Sequence, residues 1–328
     1  MAKPSEVIHV ITRCLEVQQP LFIWGEPGIG KSSLAGQVAK LLDRPLRDIR
    51  LSLVDSVDLR GFPFPKDGRM EFLVPSFLPT DTDSIDIIFL DELNLASGAV
   101  QNAAYQLIND RKIGDYHLPT GVGVIAAGNR EADGGYITTM APALANRFLH
   151  IDFNVDFDDW RAWAIANNQK PEVVNFINFR PGLLHDFDQD KRAFPTPRSW
   201  EFVSRVLSDT ELPSSVEKQM IAGSIGDGAA GEFISFLKIY RNLPNPDAVL
   251  MSPLTATVPD DLATLYALCG SLSVRASTTN FDRLVQYCNR LSPEFQVLCI
   301  RDAVVRNRDL SNTKTFSDWA IKNSHTLS

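Results

Sequence analysis

Apolar positions along this chain follow two regimes that meet near residue 153. In the first, short apolar runs alternate with stretches of helical period. Val7, Ile8, Ile11 and Leu15 recur at helical spacing behind Pro4, a residue suited to a first turn, and predict a helix over 5–16. The run Leu21-Phe22-Ile23-Trp24 predicts a strand; a glycine-rich turn ends it and a helical stretch over 32–42 follows. Further strands are expected at 49–53, 85–90, 122–127 and 149–153, with a helix at 99–108 that puts Val100, Ala103, Ala104 and Leu107 on one side. The run 85–90 is apolar except for Asp86, as a strand covered on both faces should be. Five strands alternating with helices predict a parallel sheet in a three-layer α/β domain over residues 1–153.

From residue 154 the pattern changes. Helical periods at 158–166, 198–207, 216–221, 231–240, 260–272, 280–290 and 293–305 are separated by turn-forming clusters such as Asn242-Leu243-Pro244-Asn245-Pro246. No strand pattern competes with them, so 154–328 is expected to be an all-helical insertion and lid domain. The 328 residues show no internal repeat and no low-complexity tract.

Composition narrows the chemistry. At 44% hydrophobic and 22% charged, the chain has the make-up of a globular protein. A formal net charge of −8 and the lack of a Lys/Arg block make nucleic acid an unattractive partner, because neutralising phosphates needs a basic face. Cys14, Cys269, Cys288 and Cys299 lack zinc-ligand spacing and read as small buried residues of a reduced, cytoplasmic protein. The first residues carry no signal-peptide core, and no apolar run nears the roughly 20 residues that span a bilayer.

Gly25-Glu26-Pro27-Gly28-Ile29-Gly30-Lys31-Ser32 fits GxxxxGK[ST] at every fixed position, with Ser33 next on the helix it opens. The glycines let successive N–H groups turn toward one phosphate, and the helix N-terminus adds partial positive charge. Lys31 is placed to reach the β- and γ-phosphates of ATP, and the Ser32 hydroxyl to ligate Mg²⁺. About 60 residues on, the apolar strand Ile87-Ile88-Phe89-Leu90 delivers Asp91 and Glu92 at its C-terminal end, where ligands sit in open α/β sheets. Asp91 is expected to hold the Mg²⁺ shell, and Glu92 to orient and deprotonate the attacking water. A kinase needs no water-activating Glu beside its metal-binding Asp, so hydrolysis is the expected reaction.

Together these residues resemble the AAA+ ATPases and, within them, the MoxR-like group, over residues 1 to about 207. The resemblance implies that Asn129, closing Val124-Ile125-Ala126-Ala127-Gly128, is the polar sensor 1. It implies that Arg147 in Ala143-Leu144-Ala145-Asn146-Arg147-Phe148 is an arginine finger presented to a neighbouring subunit, with Arg130 the alternative. Arg198 in Pro195-Thr196-Pro197-Arg198-Ser199-Trp200 falls on the sensor 2 segment, acting in cis or in trans. Segments 58–75 and 110–121 resemble pore-facing hairpin insertions of these rings. The resemblance implies a homo-oligomeric, hexameric ring, and chaperone-like work on a protein partner, often one with a von Willebrand factor A domain. Two other readings stay open: a nucleic-acid motor or loader, and a nucleotide-switched scaffold.

Overall fold

The computed structural model describes residues 1–130, 133, 140–207 and 214–323. They fall into two compact units, Met1–Asp156 and Phe157–Ser328. The first unit runs α1 (Pro4–Glu16), β1 (Leu21–Trp24), α2 (Lys31–Leu41), β2 (Leu46–Arg50), α3 (Ser56–Arg60), β3 (Phe62–Lys66), β4 (Arg69–Leu73) and β5 (Ile87–Asp91). It continues with α4 (Gly98–Asn109), β6 (Lys112–Ile113), β7 (Tyr116–His117), β8 (Gly123–Gly128), α5 (Pro142–Ala145) and β9 (Leu149–Asp152). Five strands form one parallel sheet in the order β2-β5-β8-β1-β9.

Alternation of side chains along these strands explains the three layers. Leu21, Ile23, Ile87 and Phe89 pack with Val7 and Ile11 of α1 and Leu34 and Val38 of α2. Their neighbours Phe22, Ile88 and Leu90 pack on the other face with Leu59 of α3 and Val100, Ala103 and Leu107 of α4. Every residue of β5 and β8 is buried. The expected three-layer α/β core with a helical region after it is the observed fold.

Two strands differ from expectation by more than one residue at an end. β2 begins at Leu46, three residues before the expected start, and ends at Arg50; residues 51–53 form a 3-10 turn. It is an edge strand, where charged residues such as Arg47 and Asp48 are tolerated, so the apolar signal understates it. β5 begins at Ile87 rather than at 85, because Asp86 lies just before it and pairs with Arg47. The two expected hairpins are the antiparallel pairs β3–β4 and β6–β7.

The second unit holds α6 (Phe157–Ala166), α7 (Pro171–Phe179), α8 (Pro197–Val206), α9 (Ser214–Ile225) and α10 (Asp227–Arg241). After them come α11 (Pro246–Met251), α12 (Leu262–Arg275), α13 (Phe281–Cys288), α14 (Pro293–Arg306) and α15 (Lys314–Lys322). Its described residues contain no strand. Helices α7, α11 and α15 were not expected. In α7 the consecutive residues 173–178 are all buried, two asparagines included, so no polar face sets a helical period. Phe176, Trp200, Phe233 and Phe236 make an aromatic core in this unit. A buried ion pair joins Arg161 to Asp302, and burial pulls the Arg161 guanidinium down to about 9. All four cysteines are free and buried.

Candidate nucleotide site

The loop between β1 and α2 turns through the left-handed region at Gly28 (φ 79°) and Gly30 (φ 106°). Gly30 is the N-cap of α2, so Lys31 and Ser32 sit in that helix's first turn beside its unpaired N–H groups. At Gly25 space matters rather than torsion: a Cβ there would lie 2.4 Å from the tip of the Ile29 side chain and 3.0 Å from the Phe153 carbonyl oxygen. Pro27, Glu26 and Ile29 complete the loop, with Ile29 buried into the core below and Ser33 facing outward.

Three strand ends converge on this loop. Lys31, 9% exposed, donates from Nζ to the carbonyls of Gly25 (2.6 Å) and Glu26 (3.0 Å) and to Asn129 Oδ1 (2.8 Å). Ser32 Oγ donates to Asp91 Oδ2 at 3.1 Å. The structure therefore brings together four of the residues expected to act, Lys31, Ser32, Asp91 and Asn129, with Glu92 next in the chain after Asp91. A hydroxyl beside a carboxylate, next to a buried ammonium, is an oxygen donor set suited to Mg²⁺ with triphosphate, so the residues fit the ATP–Mg pair.

Glu92 follows β5 in the left-handed region, φ 57° and ψ 33°. That conformation is uncommon for a residue with a side chain and turns the chain sharply after Asp91. Its carboxylate accepts a hydrogen bond from Ser52 Oγ and lies 3.7 Å from Arg50 Nε. Neither Ser52 nor Arg50 was expected at the site. Polar residues where an edge strand runs into a turn carry no motif, so only the strand order reveals them. Asp48, on the same strand, has its carboxyl raised by burial, with further contributions from Asp91 and Glu92.

Asn94 was also missed. It is 1% exposed, in the turn after Glu92, and donates from Nδ2 to the Asn129 carbonyl at 2.6 Å. A Cβ on Gly128 would stand 2.2 Å from Asn94 Oδ1 and 2.9 Å from the Phe22 ring. Gly128→Ala is thus expected to lose about 1–3 kcal/mol of stability by overpacking, read as a lower urea midpoint.

The remaining expected residues lie elsewhere. Arg147, half-buried, follows α5; Nε donates to Asn109 Oδ1, Nη2 to Tyr105 Oη at 3.3 Å, and the guanidinium stands 5.7 Å from the Tyr105 ring centre. It precedes β9, whose Leu149 pairs with Leu21 while Asp152 pairs with Trp24. Arg147 is therefore at the N-terminal end of the sheet, and the phosphate loop leaves the C-terminal end. Arg130 is committed locally, to Asp152 (3.1 Å), the Phe153 carbonyl (2.9 Å) and Asn154 (3.3 Å). Arg198 belongs to the other unit, exposed in the first turn of α8 behind a Thr196–Ser199 capping box.

A glycine-rich loop opening a helix, faced by an acidic strand end and a polar strand end of one parallel sheet, defines the unit as a P-loop ATPase domain. Residues 20–148 match the AAA domain (dynein-related subfamily). The chain is 28% identical over 169 residues to midasin from Giardia intestinalis. That stretch is 48% of this chain but only 3% of midasin's length. Among solved structures, it is similar to a point mutant of Thermotoga maritima RuvB (13% identity, TM-score 0.39, covering 97% of this chain and 88% of that one). It is also similar to NtrX from Brucella abortus in complex with ADP (14% identity, TM-score 0.39, 99% and 68% covered). A putative ATPase from Cytophaga hutchinsonii is a third (16% identity, TM-score 0.36, 92% and 79% covered). Among the described residues, no helix is long and apolar enough to cross a membrane.

Proposed function

We propose that the chain is a MoxR-like AAA+ protein that hydrolyses ATP at sites shared between subunits of a ring, a hexamer, and uses the cycle to remodel a partner protein. The observation that carries this reading is the position of Arg147. A four-residue strand spans roughly 13 Å, so an arginine at the opposite end of β9 from the phosphate loop cannot serve its own site. Held by Tyr105 and Asn109, it is presented instead to the neighbouring copy.

In this reading Lys31 leaves the Gly25 and Glu26 carbonyls for the β- and γ-phosphate oxygens, and Ser32 and Asp91 would hold Mg²⁺. The ion, when bound, neutralises charge that develops on those oxygens. Glu92 takes the proton from the attacking water, Asn129 orients that water, and the neighbour's Arg147 stabilises the transferred charge. Arg198 at the head of α8 reports the γ-phosphate to the helical unit, which acts as a lid. The partner is a protein, of the kind that carries a von Willebrand factor A domain, and the ring works in the cytoplasm.

Exposed apolar side chains on the β3–β4 hairpin, beside partly balanced charge, support a protein over a nucleic-acid partner. Lys66 on β3 is paired with Glu71 on β4 at 3.0 Å. Arg111 donates to the Pro119 carbonyl at 2.7 Å and to that of Val122 at 2.8 Å. Lys66 is thus balanced by a carboxylate, and Arg111 is held within the structure. Phe62 and Met70, by contrast, are 69% and 64% exposed on the β3–β4 hairpin.

Turnover per subunit is expected to rise with protein concentration as rings assemble, and to be stimulated by an unfolded polypeptide but not by DNA. A rate per subunit unchanged from dilute monomer to assembled ring would end the shared-site reading. Salt-sensitive stimulation by DNA would replace the protein partner with nucleic acid.

A further inference from the structure

The acidic turn and the sensor strand are joined by a buried side chain that lies outside the phosphate loop. Asn94, two residues after Glu92, is 1% exposed and spends its Nδ2 on the backbone carbonyl of Asn129 at 2.6 Å. Its Oδ1 is also buried and has no hydrogen-bond partner among the described residues. An asparagine wanted only for packing would be costly here, since a buried polar atom left unpaired is destabilising. Gly128 supplies the room: the amide lies where a Cβ on that residue would be. The neighbouring segments are thus shaped around this amide.

Its bond closes a connected path. Asn94 grips the main chain of Asn129; the Asn129 side chain accepts from Lys31 Nζ at 2.8 Å; and α2, which begins at Lys31, carries the Ser32 hydroxyl to Asp91 at 3.1 Å. Asp91 and Asn94 leave the same strand end, on either side of the left-handed turn at Glu92. Phosphate loop, acidic turn and sensor strand are therefore one hydrogen-bonded unit, in which only Asn94 ties the acidic turn directly to residue 129 in the bonds just traced.

We propose that Asn94 is a positioning residue for hydrolysis, which sets the Asn129 side chain by holding its carbonyl and so couples the acidic turn to the sensor. The proposal rests on the reading of Asn129 as the residue that orients water. Asn94 touches no reacting atom itself; it acts through Asn129. Its loss should leave the phosphate cradle intact and let the Asn129 amide wander from its hydrolytic pose. Small misplacements of this kind cost up to roughly a hundredfold in rate.

A double-mutant cycle on the full chain tests this, with kcat and the Kd for a fluorescent ATP analogue as readouts. Asn94→Ala is expected to lower kcat by roughly tenfold to a hundredfold with Kd unchanged. Combined with Asn129→Ala, it should be no slower than Asn129→Ala alone. Asn94→Ser, which keeps a donor in a smaller volume, goes through the same cycle, so a folding defect of the alanine variant leaves the test intact. Losses that multiply in the double mutant, with Asn129→Ala itself slow, overturn the role of Asn94 while leaving Asn129 in place. An Asn129→Ala enzyme as fast as the parent overturns the reading of Asn129 and this proposal with it. A weakened Kd with unchanged kcat in the Asn94 variants would make the side chain part of the binding scaffold, against the proposal.

Discussion

Glu92→Gln is expected to bind ATP as tightly as the parent chain and to hydrolyse it roughly 10²–10⁴ times more slowly, the span set by general-base catalysis. The separation of binding from turnover follows from where the contacts lie. In the proposed mechanism Lys31, the loop amides and Ser32 make the phosphate cradle, and the bonds of Lys31 Nζ and Ser32 Oγ do not involve the Glu92 carboxylate. That carboxylate faces Ser52 and Arg50 instead. The amide of Gln is nearly the same size and can still accept from Ser52, so the turn keeps its shape while the base is lost. Single-turnover hydrolysis beside analogue binding checks both halves. A glutamine variant that turns over at the parental rate would remove Glu92 from the mechanism.

Arg147→Ala is expected to cost roughly 10³–10⁵ in kcat, the magnitude for a cation that stabilises transferred phosphoryl charge from a neighbour. Its fold should survive. The side chain is half-buried, and its partners Asn109 and Tyr105 lie at the outer end of α4. Removing it costs one stacking contact and two side-chain hydrogen bonds near solvent. Circular dichroism and analogue binding should match the parent. A loss of affinity equal to the fall in rate would place Arg147 in the ground-state binding site instead.

How far the chain announces all this depends on what kind of signal each residue carries. The loop 25–32 is legible because phosphate binding demands glycines and a lysine at fixed offsets, and the buried strand before it confirms the setting. Asp91 and Glu92 are legible because an apolar strand run gives way to two carboxylates at its C-terminal end. The strand order β2-β5-β8-β1-β9 is not written in any local pattern. It alone brings Asn129 to Lys31 and the end of β2 to Glu92. Ser52, Arg50 and Asn94 were missed for that reason: each is an ordinary polar residue at a strand end or in a turn until the neighbouring strand is known. α7 escaped notice for the opposite cause, being buried all round, so that its helical period vanished. Arg130, the alternative to Arg147 in sequence, has its bonds to Asp152 and the Phe153 carbonyl revealed only by the fold.

The shared site is the central claim, and mixing two inactive chains tests it most directly. Glu92→Gln retains Arg147, and Arg147→Ala retains Glu92, so a mixed ring contains boundaries at which one copy supplies the base and the other the cation. Mixed in equal amounts and shown to co-assemble, the two variants are expected to regain a substantial fraction of parental turnover. Co-assembled rings that stay as inactive as either variant alone would show that Glu92 and Arg147 do not meet across a subunit boundary.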